Sequence, residues 1–371
     1  MLSVFSAPSH YVQGKNATAQ LGTEMKRIGL EGPALIVAGK SAIRLLSEVW
    51  QQHLSQAGIR HAVHQFGGEC SYPEIERIKQ TARDNTSGVV IGAGGGKVLD
   101  AARAAADDLN LPVVNCPTIA SSDAPCSALS VIYTEQGVFQ EYRFYRKNPD
   151  LVLVDTHVVA QAPPRLLVAG MGDALATWFE AKTCVEGHIQ NMRGGASTRS
   201  AEKLAELCYT ILVEDGPDAL RAVENNVVNP ALERLVEANT LLSGLGFESS
   251  GLAAAHAVHN GLTEAAQTHP YYHGEKVAYG LMTQLVMEGK PRTVIDPVLH
   301  FCTQVGLPIT LAEIGLSADM PRQQLDQVAA RATAEGETIH NEPFAVSPDI
   351  VADAILAADA MGRAWRDAAA D

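Results

Sequence analysis

Between about residues 30 and 160, short apolar runs alternate with longer stretches of mixed charge and alanine. Ala34 to Ala38 (ALIVA), Ala62 to Phe66 (AVHQF), Gly88 to Gly92 (GVVIG), Pro112 to Cys116 (PVVNC) and Leu151 to Asp155 (LVLVD) are mostly apolar. Runs of this kind suit strands buried on both faces. Between them, EIERIKQTARDN and KVLDAARAAADDLN carry the charges and alanines that favour helices. The resulting β-α-β rhythm predicts a parallel sheet covered by helices. Leu129 to Tyr145, β-branched and aromatic around Glu135-Gln136-Gly137, predicts an inserted hairpin. After Ala162-Pro163-Pro164 the texture changes, and alanine-, leucine- and glutamate-rich segments such as ASTRSAEKLAELCYTILVED and NPALERLVEANTLLSGL follow one another. We therefore expect an α/β domain over residues 1–161 and an all-α domain over 162–371.

Length supports this division, because 371 residues exceed one ordinary core and leave room for a water-excluded site between two. With 46% hydrophobic and 19% charged residues the chain is globular rather than disordered. No apolar run approaches the roughly 18 to 20 residues that span a bilayer. The start, MLSVFSAPSHYVQGKNATAQ, lacks the basic and apolar blocks of a targeting peptide, so a cytoplasmic location is expected. A net charge of -14 argues against non-specific binding to nucleic acid or anionic membrane and favours small-molecule partners. The six cysteines are scattered without a Cys-x-x-Cys pair, so they read as buried thiols.

Two loops invite a ligand. In GVVIGAGGGKVLD, residues 88 to 100, a glycine cluster lies where a strand should end and a helix near Lys97 begins. Glycines allow close backbone approach, and a helix N-terminus offers free N–H groups to a pyrophosphate. Gly92-x-Gly94-Gly95-Gly96 is not the G-x-G-x-x-G fingerprint, so a plain tight turn stays open. The second loop, PTIASSDAPCS from 117 to 127, also follows a strand, and its hydroxyls and Asp123 could meet a cofactor or a polyol. An ordinary polar loop is the alternative.

His256 and His259 are three residues apart, so on a helix they share a face, and His273 follows shortly after. Asp173 stands near the start of the first long helix of the second domain, where it can serve as a ligand or as an N-cap. One aspartate with two histidines suits catalytic zinc or non-haem iron, both of which leave positions open for substrate. Spacing alone does not choose between the two close histidines.

The blocks FGGECS (66–71), GAGGGKVLD (92–100), PTIASSDAPCSALSVIYT (117–134), GMGDALATWFEA (170–181), the long stretch NPALERL to HAVHNGLT (229–263), YYHGEKVAYG (271–280) and EGETIHN (335–341) span nearly the whole chain. Through them the chain resembles the glycerol dehydrogenases of the metal-dependent, iron-type alcohol dehydrogenase superfamily. The resemblance implies a nucleotide-binding α/β domain and an α-helical domain of dehydroquinate synthase-like architecture, with the active site in the cleft between them. It implies metal ligands Asp173, His256 and His273, with zinc or Fe²⁺ as the ion and His259 as a neighbour outside the ligand set. Implied nicotinamide-cofactor contacts are Gly94, Gly95, Gly96, Lys97, Asp100, Thr118, Ser121, Ser127, Leu129 and Tyr133. Asp123 would hold the polyol and act with His256 at the catalytic centre. A homo-oligomer, often an octamer, is also implied. The corresponding chemistry is Lewis-acid activation of an alcohol and hydride transfer from C2 of glycerol to the nicotinamide, giving dihydroxyacetone.

One position departs from the family. Where an aspartate usually ends the first strand and binds the adenosine ribose, this chain has Gly39 followed by Lys40. Loss of the acid predicts weakened NAD preference and access for the 2′-phosphate of NADP; a solvated Lys40 would leave NAD preferred. Three rivals stand beside the polyol reading. They are an NADP-linked reductase of 2-oxo acids or aldehydes on the same fold, a metal- and NAD-dependent cyclising lyase, and a non-enzymatic nucleotide sensor.

Overall fold

The computed structural model describes residues 1–370. The chain forms two compact units. One comprises Ser6–Pro163 together with Arg221–Gly244, and the other comprises Met1–Phe5, Pro164–Leu220 and the chain from Leu245 onward.

The α/β unit is built on eight strands: β1 (Tyr11–Gly14), β2 (Ala34–Ala38), β3 (His61–Gln65), β4 (Val89–Gly94), β5 (Val113–Pro117), β6 (Leu129–Tyr133), β7 (Phe139–Phe144) and β8 (Leu151–Asp155). Six of them form one sheet in the order β1-β8-β5-β4-β2-β3, and every pairing in it is parallel. Side chains alternate across a strand, so Leu35 and Val37 enter the core on one face while Ile36 and Ala38 enter the other. Trp50 and Leu54 from the Lys40–Gln56 helix cover the second face; Ile75, Ile78 and Val98 cover the first. That two-sided burial is why β2, β4, β5 and β8 read as continuous apolar runs, whereas β3, at the sheet edge, is half-buried or exposed along its length. The Leu129–Tyr145 expectation corresponds to the antiparallel pair β6 and β7, whose register shifts between Ile132 and Tyr133.

Two features differ from the expectations. Strand β1 is an extra edge strand, and its residues are only half-buried because it has a neighbour, β8, on one side alone. The second difference concerns the division into units. The first break lies at 163/164, near the expected one, but Arg221–Gly244 returns to the α/β unit, so the units are not two contiguous halves. The returning segment is not one helix either: Pro230–Glu237 passes into a π-helical turn, Ala238–Leu242, before the Ser243–Ser250 helix. Gln13 on β1 donates to the Glu233 carbonyl and carboxylate, and Tyr11 bonds to Thr240, so this segment packs along the sheet's open edge.

The other unit is largely helical, with the long helices Pro164–Glu186 and Pro348–Ala370 among its elements and single β-bridges joining Ser3 and Gln190 to Ala196. No helix among the described residues is long and apolar enough to cross a membrane.

Candidate metal centre and nucleotide-binding edge

Three helices of the helical unit converge where glycine removes a side chain. Gly274, next to His273, sits so close to the Asp173 helix that a Cβ there would lie 1.7 Å from the Ala169 carbonyl oxygen. A Cβ on Gly172 would meet the Gly274 carbonyl oxygen at 2.3 Å. One on Gly280 would meet the Ala255 carbonyl oxygen, beside His256, also at 2.3 Å. Close approach of backbones lets short side chains reach a common point. The oxygen of Asp173 and the ring nitrogens of His256 and His273 all lie within 4.8 Å of one another. Asp173 Oδ1 is 3.1 Å from His273 Nε2 and 3.3 Å from His256 Nε2. Asp173 is wholly buried, whereas the His273 side chain is 42% exposed, so the set opens to solvent on the His273 side.

Partners behind the two candidate histidines set their tautomers. His256 Nδ1 lies 2.6 Å from Glu180 Oε2, two helical turns along from Asp173. Donation of Nδ1–H to Glu180 leaves the Nε2 lone pair for an ion. His273 Nδ1 lies 3.0 Å from His259 Nε2, and His259 Nδ1 lies 3.1 Å from Asn260 Oδ1. Burial, with His273, Lys276 and His256 nearby, pushes His259 well below its ordinary range, so this ring is neutral. A neutral His259 that donates to Asn260 accepts at Nε2 from His273, which leaves His273 Nε2 free to ligate. Asn260 is held in turn by a bond from its Nδ2 to Glu337 at 2.9 Å. The two histidines that spacing left equal are thereby separated: His256 faces Asp173, and His259 supports His273.

Charge at the site favours a cation. Burial opposes ionisation of Asp173, but His273 and His256 outweigh it and hold the carboxylate well below its usual range. Burial likewise opposes a charge on His256, yet Glu180 and Asp173 raise it well above the ordinary histidine value. One carboxylate oxygen and two imidazole nitrogens form a donor set that fits Zn²⁺ or Fe²⁺.

In the α/β unit, the carboxyl ends of β2, β4 and β5 are adjacent, with Ala38 opposite Ala93 and Gly94 opposite Pro117. A Cβ on Gly92 would lie 2.9 Å from Ala102 Cβ, so the Gly96–Leu109 helix packs directly on β4 and starts at that edge. Gly94 lies at the end of β4, Gly95 precedes the helix and Gly96 opens it. Gly39 stands before the Lys40–Gln56 helix, with no atom within 4 Å of where its Cβ would be.

The other expected cofactor residues occupy varied places. Thr118 follows β5 and donates its N–H to Gly94 O at 3.0 Å; Ser121 and Asp123 lie on the loop beyond. Leu129 and Tyr133 are the end residues of β6. Ser127 is buried, and its hydroxyl points to Ala124 O at 3.5 Å. Lys97 Nζ binds the Glu69 carboxylate at 2.6 Å and lies over the Tyr133 ring. Asp100 is buried, paired with Arg103 at 3.1 Å and accepting from Val131 N–H at 3.1 Å, so it ties the helix to the hairpin. Burial pushes its carboxyl up to about 6, against the pull of Arg103.

Several residues essential to this geometry were absent from the sequence reading. Asn115 donates to Pro125 O at 2.8 Å, Arg103 to Ala124 O at 2.6 Å and Asn239 to Ala120 O at 3.0 Å, so the loop bearing Asp123 is braced from three directions. Ser243 donates to Asp123 Oδ2 at 3.0 Å. Asn239 projects from the π-helical turn, the kind of helix irregularity that often marks functional positions. Glu180, which holds His256, belongs to the same group; its signal was its place two turns from Asp173 within GMGDALATWFEA.

Comparison with known proteins identifies the family. Residues 8–156 match the iron-containing alcohol dehydrogenases. A protein of Halobacterium salinarum named glycolaldehyde reductase is 51% identical over 99% of this chain and 100% of its own length. Glycerol dehydrogenase of Citrobacter freundii is 50% identical over 98% of this chain and 99% of its own. The crystal structure of glycerol dehydrogenase from Schizosaccharomyces pombe superposes with a TM-score of 0.95 at 38% identity, covering 99% of this chain and 93% of that one. With full-length relatives at this identity and the Asp173, His256 and His273 set in place, the chain belongs to the iron-containing alcohol dehydrogenase family, on the branch of the glycerol dehydrogenases.

Proposed function

We propose that this protein is a metal-dependent glycerol dehydrogenase that transfers a hydride between C2 of glycerol, or a related vicinal diol, and a nicotinamide cofactor. The observation that carries the reading is the convergence of Asp173, His256 and His273, each histidine held by a partner that turns its Nε2 toward the shared point. A zinc or ferrous ion held by these three supplies a Lewis acid that lowers the pKa of an alcohol. Asp123, braced by Ser243, is suited to accept a hydrogen bond from a substrate hydroxyl and so to select polyols over simple alcohols. Gly94, Gly95 and Gly96 and the helix N-terminus are suited to the pyrophosphate. The six buried free cysteines fit a reducing, cytoplasmic setting.

Cofactor choice rests on Gly39. The space beside it is open and Lys40 is exposed at the start of a helix, so nothing there repels a 2′-phosphate, and we assign use of both NAD and NADP. A second reading is favoured by one observation: the relative named for glycolaldehyde reduction is as similar as those named for glycerol oxidation. One experiment tests all three points. Purified protein is analysed for metal and assayed with glycerol and NAD⁺ or NADP⁺ before and after chelation, and with glycolaldehyde and 2-oxo acids in the reductive direction. Full activity in a verified metal-free sample would overturn the reading, a large preference for NAD⁺ would remove the claim on NADP, and a dominant rate with an aldehyde would favour the second reading.

A further inference from the structure

The helix that carries His256, Ala254–Leu262, has only nine residues and no side-chain cap of its own. Its first N–H groups are nevertheless all taken, each by a side chain from another segment. Glu180 Oε1 accepts from Ala253 N–H at 2.9 Å and from His256 N–H at 3.1 Å. Gln284 Oε1 accepts from Ala255 N–H at 2.9 Å. Glu342 Oε1 accepts from Ala254 N–H at 3.2 Å. Glu180 and Gln284 belong to the two helices that also carry Asp173 and His273, so they link one ligand helix to another. Glu342 comes from outside all three. Its segment also grips the preceding backbone, through Thr338 to Ala253 O at 2.7 Å and Asn341 to Leu252 O at 2.8 Å.

The other half of the Glu342 side chain is unusual. Glu342 is buried, its Oε2 receives no hydrogen bond, and the carboxyl of Glu288 is its near neighbour. Glu288 is itself held by the Thr183 hydroxyl at 2.6 Å, the Gln284 amide at 3.1 Å and the Lys290 ammonium at 3.1 Å. Two carboxylates cannot bond to one another unless one carries a proton. Burial and the neighbouring Glu288 push the Glu342 carboxyl up to about 9, so at neutral pH the pair holds a proton between them. Glu342 accepts from Ala254 with one oxygen, and a proton shared with Glu288 serves the other.

We propose that Glu342, bridging Ala254 N–H and Glu288, is a positioning residue that aims His256 and thereby sets the affinity of the metal centre. The inference rests on the metal reading of Asp173, His256 and His273. Two things distinguish it from a general role in packing. His256 is the third residue of a short helix, so an anchor on the first residue acts on the turn of backbone that presents its ring. Glu342 reaches Ala254 from outside the helices that carry Asp173 and His273, and the bond from His256 to Glu180 does not pass through it.

The test measures zinc affinity of the demetallated full-length protein by competition with a chromogenic chelator, with unfolding of the metal-free form followed in parallel. Glu342→Ala is expected to weaken zinc binding about 10- to 100-fold, as loss of outer partners does at other metal sites. Glu342→Gln keeps the acceptor for Ala254 and supplies an N–H to Glu288, and it should bind zinc as the natural protein does. Unchanged affinity in Glu342→Ala, or equal weakening in Glu342→Gln, overturns the proposal. Should Glu342→Ala not fold, Glu342→Asp takes its place: the acid is kept one methylene short, so weaker binding than in Glu342→Gln supports the proposal and equal binding overturns it. Natural protein that takes up no zinc overturns the metal reading instead, a result separable from any of these.

Discussion

The proposed metal centre and the proposed nucleotide-binding edge are built in opposite ways. At the metal centre the recognising atoms belong to side chains, and each histidine is fixed from behind by a named partner, Glu180 or His259. At the edge the prominent polar side chains are already engaged within the protein: Lys97 with Glu69, and Asp100 with Arg103 and Val131. What remains there for a ligand is mostly backbone, glycine and open space, with the Thr118 and Ser121 side chains on the adjoining loop. A site built from side chains should fail when a donor atom is lost, whereas a site built from backbone should fail when an atom is added.

The largest effect is expected at the ligands. His256→Ala should abolish stoichiometric zinc uptake, while His259→Ala, which removes only the support of His273, should weaken it about 10- to 100-fold; metal analysis after dialysis separates them, and the reverse ranking would break the contrast. Next comes the glycine seam beneath the centre. Gly274→Ala forces a Cβ against the Ala169 carbonyl and should destabilise by about 3 kcal/mol, the upper end for overpacking, measured by denaturant unfolding. At the edge, Gly96→Ala meets Ser122 and Ala124 only at ordinary distances, 3.6 and 3.7 Å. Folding should therefore survive while the KM for the dinucleotide rises and zinc content stays constant; a fall in zinc would show that the two regions are not independent. Gly39→Asp restores an acid at the end of β2 and should shift the ratio of kcat/KM for NAD over NADP upward by about tenfold, equivalent to about 1.4 kcal/mol.

The smallest effect concerns pH. The folded-state pKa of Glu342 is raised above the ordinary value of 4.5, so its contribution to stability is fully present below that value and is lost as pH rises toward about 9. Glu342→Gln has no proton to lose, and its stability relative to the natural protein should grow between those limits. A difference in denaturation midpoint that does not change with pH would contradict a shared proton in the Glu288–Glu342 pair.

The legible parts of the molecule share a physical cause. Strands β2, β4, β5 and β8 announce themselves because both faces are buried, whereas β1, paired on one side and carrying Gln13, does not. The return of Arg221–Gly244 to the α/β unit has no change of composition to mark it. Residue spacing alone put His256 and His259 on equal terms. The family blocks singled out His256, and the fold gathers it with the same Asp173 and His273 that the resemblance implied. The residues that hold the ligands were hidden for a different reason. Glu180 and Glu342 act on backbone 76 and 88 residues away, and Asn239 acts on a carbonyl 119 residues away, so their roles exist only once the chain has folded. Periodicity reports which face of an element is buried, and it carries no record of such distant pairs.

The discontinuous α/β unit has a consequence for synthesis. All eight strands have been made by Asp155, yet the segment that covers β1 and braces the Asp123 loop ends only at Gly244. A nascent chain released at residue 163 would hold the whole sheet with Gln13 and Asp123 lacking their Glu233 and Ser243 partners. Gln13 and Asp123 therefore gain these partners only after part of the following unit has been translated, although domains commonly finish in order of synthesis. Anyone seeking to cut this protein into halves should carry residues 221–244 with the first.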